Sequence, residues 1–229
     1  MKKAKKVLLL ALCAVLLVGA TIAGTVAYLT STTTEVKNTF TAGNVKITLD
    51  EADVVEEGKV IAGADRVIKN EYKLMPGHTY VKDPTVHVQP DSEESYIRIK
   101  VTINKIAELK AIFGADFLPQ YFVEGWNNSI WNTTGVITEN ADGTNTYEFW
   151  YHKTVSTEDK TTVLDLEPLF TDIVIPGDVT NTQINTLEGL KIDIIAHAIQ
   201  KDTFATAADA WKAWDDAQVD PKPAATTNP

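Results

Sequence analysis

The first thirty residues constrain this chain more than any other stretch. Four lysines within the first six residues precede an uncharged run from Val7 to Thr34, whose strongly apolar part is Val7–Val18. A basic start, a short apolar core and an exit of small residues are typical of a secretory signal peptide. We therefore predict that residues 1–27 are a signal peptide. The protein is expected to be secreted, and to be extracellular or associated with the cell surface.

The small residues Thr25 and Ala27 suit a signal peptidase, which predicts cleavage between Ala27 and Tyr28, with Ala23 as the second choice. An uncleaved membrane anchor is the alternative, because Val7–Leu29 is 23 residues without a charge and about 20 apolar residues span a bilayer. The abundance of Gly, Ala and Thr after residue 18 favours cleavage. Membrane contact is then expected only through the signal peptide, before it is removed.

The mature chain, residues 28–229, has 202 residues and contains no cysteine, so neither disulfides nor a cysteine zinc site are expected. Removal of the signal peptide takes away its four lysines and leaves 17 basic and 31 acidic residues, which give a net charge of −14. So acidic a surface disfavours nucleic acid as a partner. No Gly-rich phosphate loop occurs, and no cofactor is expected.

Alternating apolar residues predict most of the fold. Asn44–Asp50 and Tyr96–Asn104 alternate cleanly, as half-buried strands do, and Leu190–Ile199 is apolar on one face. Other predicted elements are strands at Arg66–Leu74, Thr79–Val88 and Leu169–Ile175, a hairpin joining Val136–Glu139 to Thr146–Tyr151, and short helices at Ile106–Phe113 and after Phe204. This pattern predicts an all-β fold: an antiparallel β-sandwich with one or two short helices, over residues 44–217. Residues 218–229 are expected to be a disordered tail.

Three stretches carry a family resemblance. They are Gly24–Thr30 leading into Asn38–Val45, Lys73–Gly77 leading into Val81–Pro84, and Ala198–Phe204 followed by Ala208–Trp211. Together they resemble the TasA and camelysin family, secreted by Gram-positive bacteria after cleavage by a signal peptidase of the SipW type. The resemblance implies a jelly-roll-like sandwich and, from its best-known members, a subunit of extracellular biofilm-matrix fibres.

In such fibres the released amino-terminal segment adds as a strand to the next subunit. Residues 28–43 are expected to be that segment here, since they are Thr-rich and nearly uncharged and strand addition would satisfy their backbone. The candidate assembly residues are Tyr28, Leu29, Val36 and Phe40. The expected partners are other copies of the chain, plus the signal peptidase during export. Cleavage would release the segment and trigger assembly.

A metalloprotease is the first alternative, because camelysin-like relatives have been assigned that activity. A catalytic zinc needs three protein ligands, whereas His78, His87, His152 and His197 are scattered and no H-E-x-x-H motif occurs. A spatial cluster of the first three histidines would be required. The prediction is therefore a protein that is not an enzyme and has no metal site.

A carbohydrate- or surface-binding module is the second alternative. It would use the aromatic region as a stacking platform, formed by Trp126, Trp131, Tyr147, Trp150 and Tyr151. Aromatic residues more often fill the cores of β-proteins. Core packing is therefore the preferred interpretation of these five residues.

The first testable prediction concerns the amino terminus of the exported protein. Sequencing of the secreted form is expected to begin at Tyr28, because Thr25 and Ala27 fit the narrow pockets of the peptidase. A first residue well beyond Phe40 would contradict the prediction, since the assembly segment would then be lost.

Overall fold

The structure is a computed structural model and describes residues 44–157, 161–202 and 204–219, all within one compact unit. In these residues eleven strands alternate with three α-helices and one 3-10 turn. The strands are β1 Ile47–Asp50, β2 Thr79–Val81, β3 Thr85–Val88, β4 Ser92–Ile103, β5 Val123–Glu124, β6 Trp131–Glu139, β7 Asn145–Tyr151, β8 Val155–Thr157, β9 Leu164–Asp165, β10 Asp172–Val174 and β11 Ile192–Gln200. The helices are α1 Ile106–Phe113, α2 Asn181–Thr186 and α3 Ala207–Val219, and the 3-10 turn is Pro119–Tyr121.

The strands form three sheets, and every pairing between these strands is antiparallel. The largest sheet has the order β11-β4-β7-β6, with β8 paired to the start of β4. The two smaller sheets have the orders β1-β3-β9 and β2-β10-β5. The prediction of an all-β antiparallel fold is therefore confirmed, with three α-helices in the described residues where one or two were expected.

Strand β4 supplies the centre of the core. Its alternate residues Ile97, Ile99, Val101 and Ile103 are almost completely buried. They belong to one apolar cluster that also contains Val86 and Val88 of β3, Tyr147 and Phe149 of β7, and Ile173 of β10. The period of two in a strand places these residues on one face of β4, so this face joins all three sheets.

Several local predictions need correction. Arg66–Leu74 is not a strand: only Val67 pairs, with Glu51, and the side chain of Asn70 bonds the backbone of Ala52 and Val54. Such side-chain bonds compete with strand pairing. The predicted strand Thr79–Val88 is two strands in different sheets, interrupted around Pro84, because proline cannot donate to a ladder.

The helices agree with prediction to different degrees. Helix α1 has the predicted bounds, and α3 begins where Thr206 caps the backbone N–H of Asp209 at 3.2 Å. Helix α3 continues to Val219, so the first two residues of the predicted tail are helical. Helix α2 was not predicted, although Thr180 and Gln183 form a capping box that marks its start.

The outer face of β4 holds helix α3 through a buried arginine. The side chain of Arg98 is fully buried, and its two terminal nitrogens donate to the two carboxylate oxygens of Asp215 at 3.0 and 2.7 Å. It also donates to Glu148 at 3.2 Å and to Nδ1 of His197 at 3.1 Å, and it lies 4.5 Å from the ring centroid of Trp211. A bidentate bond and a stacked indole together fix the helix on the sheet.

His197 is neutral in this arrangement, because its Nδ1 accepts a hydrogen bond from Arg98. Burial lowers the pKa of His197, and the nearby charges of Arg98 and Lys100 lower it further. The imidazole stacks on Trp214 with ring centroids 5.0 Å apart. The neutral ring thus completes the contact between α3 and β11.

The second prediction tests this contact. Asp215→Ala is expected to lower the free energy of unfolding by about 1.5–3 kcal/mol, since a hydrogen-bonded partner of a buried charge is lost. Chemical denaturation followed by tryptophan fluorescence measures the change. The matched control is Asp216→Ala, which removes an exposed pair with Lys212 on the same helix and should change stability by less than about 0.5 kcal/mol. Equal losses in the two variants would contradict the assignment.

Candidate functional site

The candidate site is the space between two strand edges. Within the described ranges, β1 pairs only with β3, and β11 pairs only with β4. Some Cα atoms of β1 and β11 nevertheless lie within 8 Å of each other. Each strand therefore has one edge that pairs with no other strand of the described ranges, and unpaired edges are templates for pairing with another strand.

Hydrogen bonding shows which groups lie on the β1 edge. The backbone N–H of Gln89 donates to the carbonyl of Lys46 at 2.9 Å, in register with the β1–β3 pairs. Backbone groups of successive strand residues point to opposite sides. The backbone groups of Lys46 and Thr48 therefore point to β3, whereas the backbone groups of Ile47 and Leu49 point away from it.

The same reasoning applies to β11. The N–H of Asn104 donates to the carbonyl of Lys191 at 3.3 Å, and the N–H of Lys201 donates to the carbonyl of Glu94 at 2.9 Å. Both bonds are in register with the β4–β11 pairs. Odd-numbered residues of β11 thus bond β4, and the even-numbered residues from Ile192 to Gln200 point their backbone groups away from it.

A groove of about 1090 Å³ opens beside these edges. Its apolar wall includes half-buried side chains that pack against the core: Leu49, Tyr72, Leu74, Leu190, Ile192 and Ile194. Small-molecule pockets measure about 300–1,000 Å³ and enclose most of their ligand. This groove is larger, and Ile68 and Ile195 on its wall are 90% and 56% exposed, which suits an elongated occupant.

The wall of the groove also contains a polar cluster. Glu51 and Val67 exchange two backbone hydrogen bonds of 2.8 Å, which occupies the β1 edge immediately beyond Asp50. The carboxylate of Glu51 accepts hydrogen bonds from Lys82 at 2.5 Å and from Asn70 at 2.9 Å. An inserted strand would therefore meet the β1 edge only up to Leu49.

Tyr72 forms part of the same wall and remains protonated. Its hydroxyl donates to the carbonyl of Val81 at 3.0 Å, and the ammonium of Lys82 lies 5.8 Å from its ring centroid. Burial raises the pKa of the Tyr72 hydroxyl, and the nearby carboxylate of Glu51 raises it further. The phenol therefore acts as a fixed hydrogen-bond donor that holds the wall in place.

A charged network lies beside the groove on the outer face of β1 and β3. Asp50 accepts hydrogen bonds from Arg66 and, at 2.9 Å, from Nε2 of His87. Partial burial opposes ionisation of Asp50, but these two partners keep the pKa of its carboxyl below the usual value. Partial burial likewise opposes the charged form of His87, yet Asp165 and Asp50 raise the pKa of the imidazole. The network joins the segment after β1 to both strands.

The predicted assembly and cleavage residues lie outside the described residues. These are Ala27, Tyr28, Leu29, Val36 and Phe40, together with the whole of segments 1–27 and 28–43. The described chain begins at Asn44, three residues before β1. The groove was not predicted from sequence, and the alternation in Asn44–Asp50 and Leu190–Ile199 was its only signal.

The four histidines have separate surroundings. The Nδ1 atom of His78 lies 3.0 Å from the carbonyl of Pro76, and that of His152 lies 3.3 Å from the carbonyl of Ile130. His87 bonds two aspartates, and His197 contacts Arg98. In residues 44–157, 161–202 and 204–219, no three His, Cys, Asp or Glu side chains are grouped so as to hold a metal ion.

The aromatic region contributes mainly to the core. Trp131, Tyr147 and Tyr151 are buried, and Trp131 packs edge-on against Tyr151 with ring centroids 5.0 Å apart. Trp126 is half-buried against Phe149. The five predicted platform residues therefore do not share one exposed surface.

Comparison of the chain with family models, curated proteins and solved structures gave no match.

In the part of the chain that the structure describes, no helix combines the length and hydrophobicity needed to span a bilayer.

Proposed function

We propose that this protein is a secreted, non-enzymatic structural protein that assembles into an extracellular fibre of a biofilm matrix. The observation that carries the proposal is the groove between β1 and β11. In it, unpaired backbone groups lie beside an apolar wall that continues into the core. Backbone groups bind any extended peptide, and an apolar wall selects its alternate side chains. The occupant is the segment 28–43 of another copy, released when the signal peptide is cut after Ala27.

The segment has the composition that such a site requires. Between Tyr28 and Gly43 only Glu35 and Lys37 are charged, and their charges cancel. Cleavage adds the α-ammonium of Tyr28, so the segment carries a charge of about +1 and does not add to the repulsion between copies of net charge −14. If alternate residues face the wall, Tyr28, Val36 and Phe40 fall on one face, while Leu29, Glu35 and Lys37 fall on the other.

The proposal includes a finer description of the fold. The β1-β3-β9 and β2-β10-β5 sheets would form one layer of a jelly-roll-like sandwich, and the five-stranded sheet would form the other. The shared apolar cluster supports this arrangement, since it draws side chains from all three sheets. An added strand would then cover the free edge of β11 along the groove.

The third prediction tests the donor segment. Purified mature protein, residues 28–229, is expected to form filaments visible by negative-stain electron microscopy. A variant that begins at Asn44 should remain monomeric in size-exclusion chromatography with light scattering, because it has an acceptor groove and no strand to donate. Its unfolding transition serves as the control for intact folding. Filaments formed by the shortened chain would contradict the proposal.

The fourth prediction tests the acceptor groove with a matched pair of variants. Ile195→Asp places a carboxylate on the groove wall, whereas Val136→Asp places one on β6; the two side chains are 56% and 51% exposed. The critical concentration for assembly is expected to rise at least about tenfold in Ile195→Asp, equivalent to about 1.4 kcal/mol. Val136→Asp should assemble like the unmodified protein. An equal effect of both variants would indicate general charge repulsion and contradict the groove assignment.

A further inference from the structure

We infer that the side chains of Lys82 and Asn70 join in an autocatalytic isopeptide bond, with Glu51 as the general acid and base that transfers the protons. The reaction releases one ammonia and needs no other protein. The inference depends on three side chains that meet in the wall of the groove. It does not depend on whether the protein forms fibres.

One carboxylate holds both reacting groups. Atom Oε2 of Glu51 accepts a hydrogen bond from Nζ of Lys82 at 2.5 Å, and atom Oε1 accepts one from Nδ2 of Asn70 at 2.9 Å. The side chains of Lys82 and Glu51 are only 10% and 8% exposed. The amine and the carboxamide are therefore held at the two oxygens of a single carboxylate, in a site that excludes most water.

The carboxamide of Asn70 has the orientation that the reaction needs. Its Nδ2 also donates to the carbonyl of Ala52 at 2.8 Å, and its Oδ1 accepts from the backbone N–H of Val54 at 3.1 Å. The leaving nitrogen thus faces Glu51, which can protonate it. The oxygen on which negative charge develops already has a hydrogen-bond donor, as an oxyanion hole provides.

The first step is a proton transfer. The ammonium of Lys82 passes a proton to the carboxylate of Glu51, which leaves an amine with a free electron pair. The exclusion of water favours this step, because two buried charges are replaced by two neutral groups. Attack on Cγ of Asn70 requires Nζ to come within about 3–3.5 Å of it. The four-carbon stem of lysine is flexible, so Nζ can turn from the carboxylate to the carboxamide.

Bond formation and bond breaking follow at Cγ of Asn70. The electron pair of Nζ forms the new C–N bond, and the π electrons of the carbonyl move onto Oδ1, where the N–H of Val54 stabilises them. Glu51 donates its proton to Nδ2 and takes one from Nζ. The Cγ–Nδ2 bond then breaks as the carbonyl re-forms. Ammonia leaves with the proton from Glu51 as ammonium, so the balance needs no further reactant.

Tyr72 is a positioning residue for the lysine. Its ring centroid lies 5.8 Å from Nζ of Lys82, and its hydroxyl donates to the carbonyl of Val81 at 3.0 Å. The hydrogen bond fixes the ring beside the amine, and an aromatic ring shields that side of the site from water. The groove on the other side gives the released ammonium a path to solvent, since Glu51, Asn70 and Lys82 all line it.

The bond would fasten a segment that has little regular structure. Residues 66–74 include one bridge residue, Val67, which pairs with Glu51, whereas Lys82 directly follows β2. A covalent link between Asn70 and Lys82 closes a ring across this part of the groove wall. Such a link restricts the unfolded chain as a disulfide does. It is not reduced by thiols, which suits a mature chain without cysteine.

Mass spectrometry of the purified, folded protein tests the inference. The intact mass is expected to be lower than that of the sequence by one ammonia, about 17 Da. Trypsin should release a branched peptide in which Asn70–Lys73 is linked to Leu74–Arg98, because trypsin does not cut after an acylated lysine. Fragmentation of this peptide should locate the bond between Asn70 and Lys82. A folded protein with the full mass would overturn the inference.

Three variants assign the roles, with the unfolding transition of each as the control for folding. Lys82→Arg keeps a positive charge but has no nucleophilic amine, and Glu51→Gln cannot transfer the protons. Both should have the full mass and lack the branched peptide. The matched control is Lys201→Arg, whose lysine bonds Glu94 at 2.9 Å but is 43% exposed, and it should keep the loss of ammonia. A loss that persists in Lys82→Arg would arise from another reaction and overturn the assignment.

Discussion

Strand β4 is the element through which the rest of the structure is connected. Its inner face buries four β-branched side chains, Ile97, Ile99, Val101 and Ile103, and each such burial stabilises the fold by about 1.5–3 kcal/mol. Its edges pair with β11 on one side and with β7 and β8 on the other. The same strand therefore contributes buried side chains to the core and hydrogen bonds to three neighbouring strands. The register of these hydrogen bonds sets the positions of β7, β8 and β11.

The outer face of β4 contributes a buried charge instead of apolar side chains. Arg98 lies between two core isoleucines in sequence and is fully buried under α3. A buried guanidinium is costly unless its donors are bonded, and here Asp215, Glu148 and His197 accept from it. The contact is therefore specific: helix α3 has one position on the sheet at which the charge of Arg98 is compensated.

The groove lies beside β1 and β11, which are edge strands of two different sheets. Strand β1 has β3 on one side and β11 has β4 on one side, and the described residues provide no strand between them. Natural proteins usually protect such edges with charges, bulges or covering segments. The opposite edge of the large sheet, β6, has a register shift between Thr133 and Ile137, which is one of these devices. The pairings of β1 with β3 and of β11 with β4 show no register shift.

Sequence by itself determined the features that depend on residue type or on near neighbours: the cysteine-free, acidic composition after residue 27 and the antiparallel β character. The alternation in Tyr96–Asn104 predicted β4, and the hairpin between Val136–Glu139 and Thr146–Tyr151 predicted the pairing of β6 with β7. The short strands β5, β8 and β9 have two or three residues each, too few for a period to be visible. Only the tertiary structure decided the groove at the end of β1 and the start of β11 and the burial of Arg98 under α3. Both arise where segments distant in sequence meet, and packing between such segments leaves no periodic pattern in the chain.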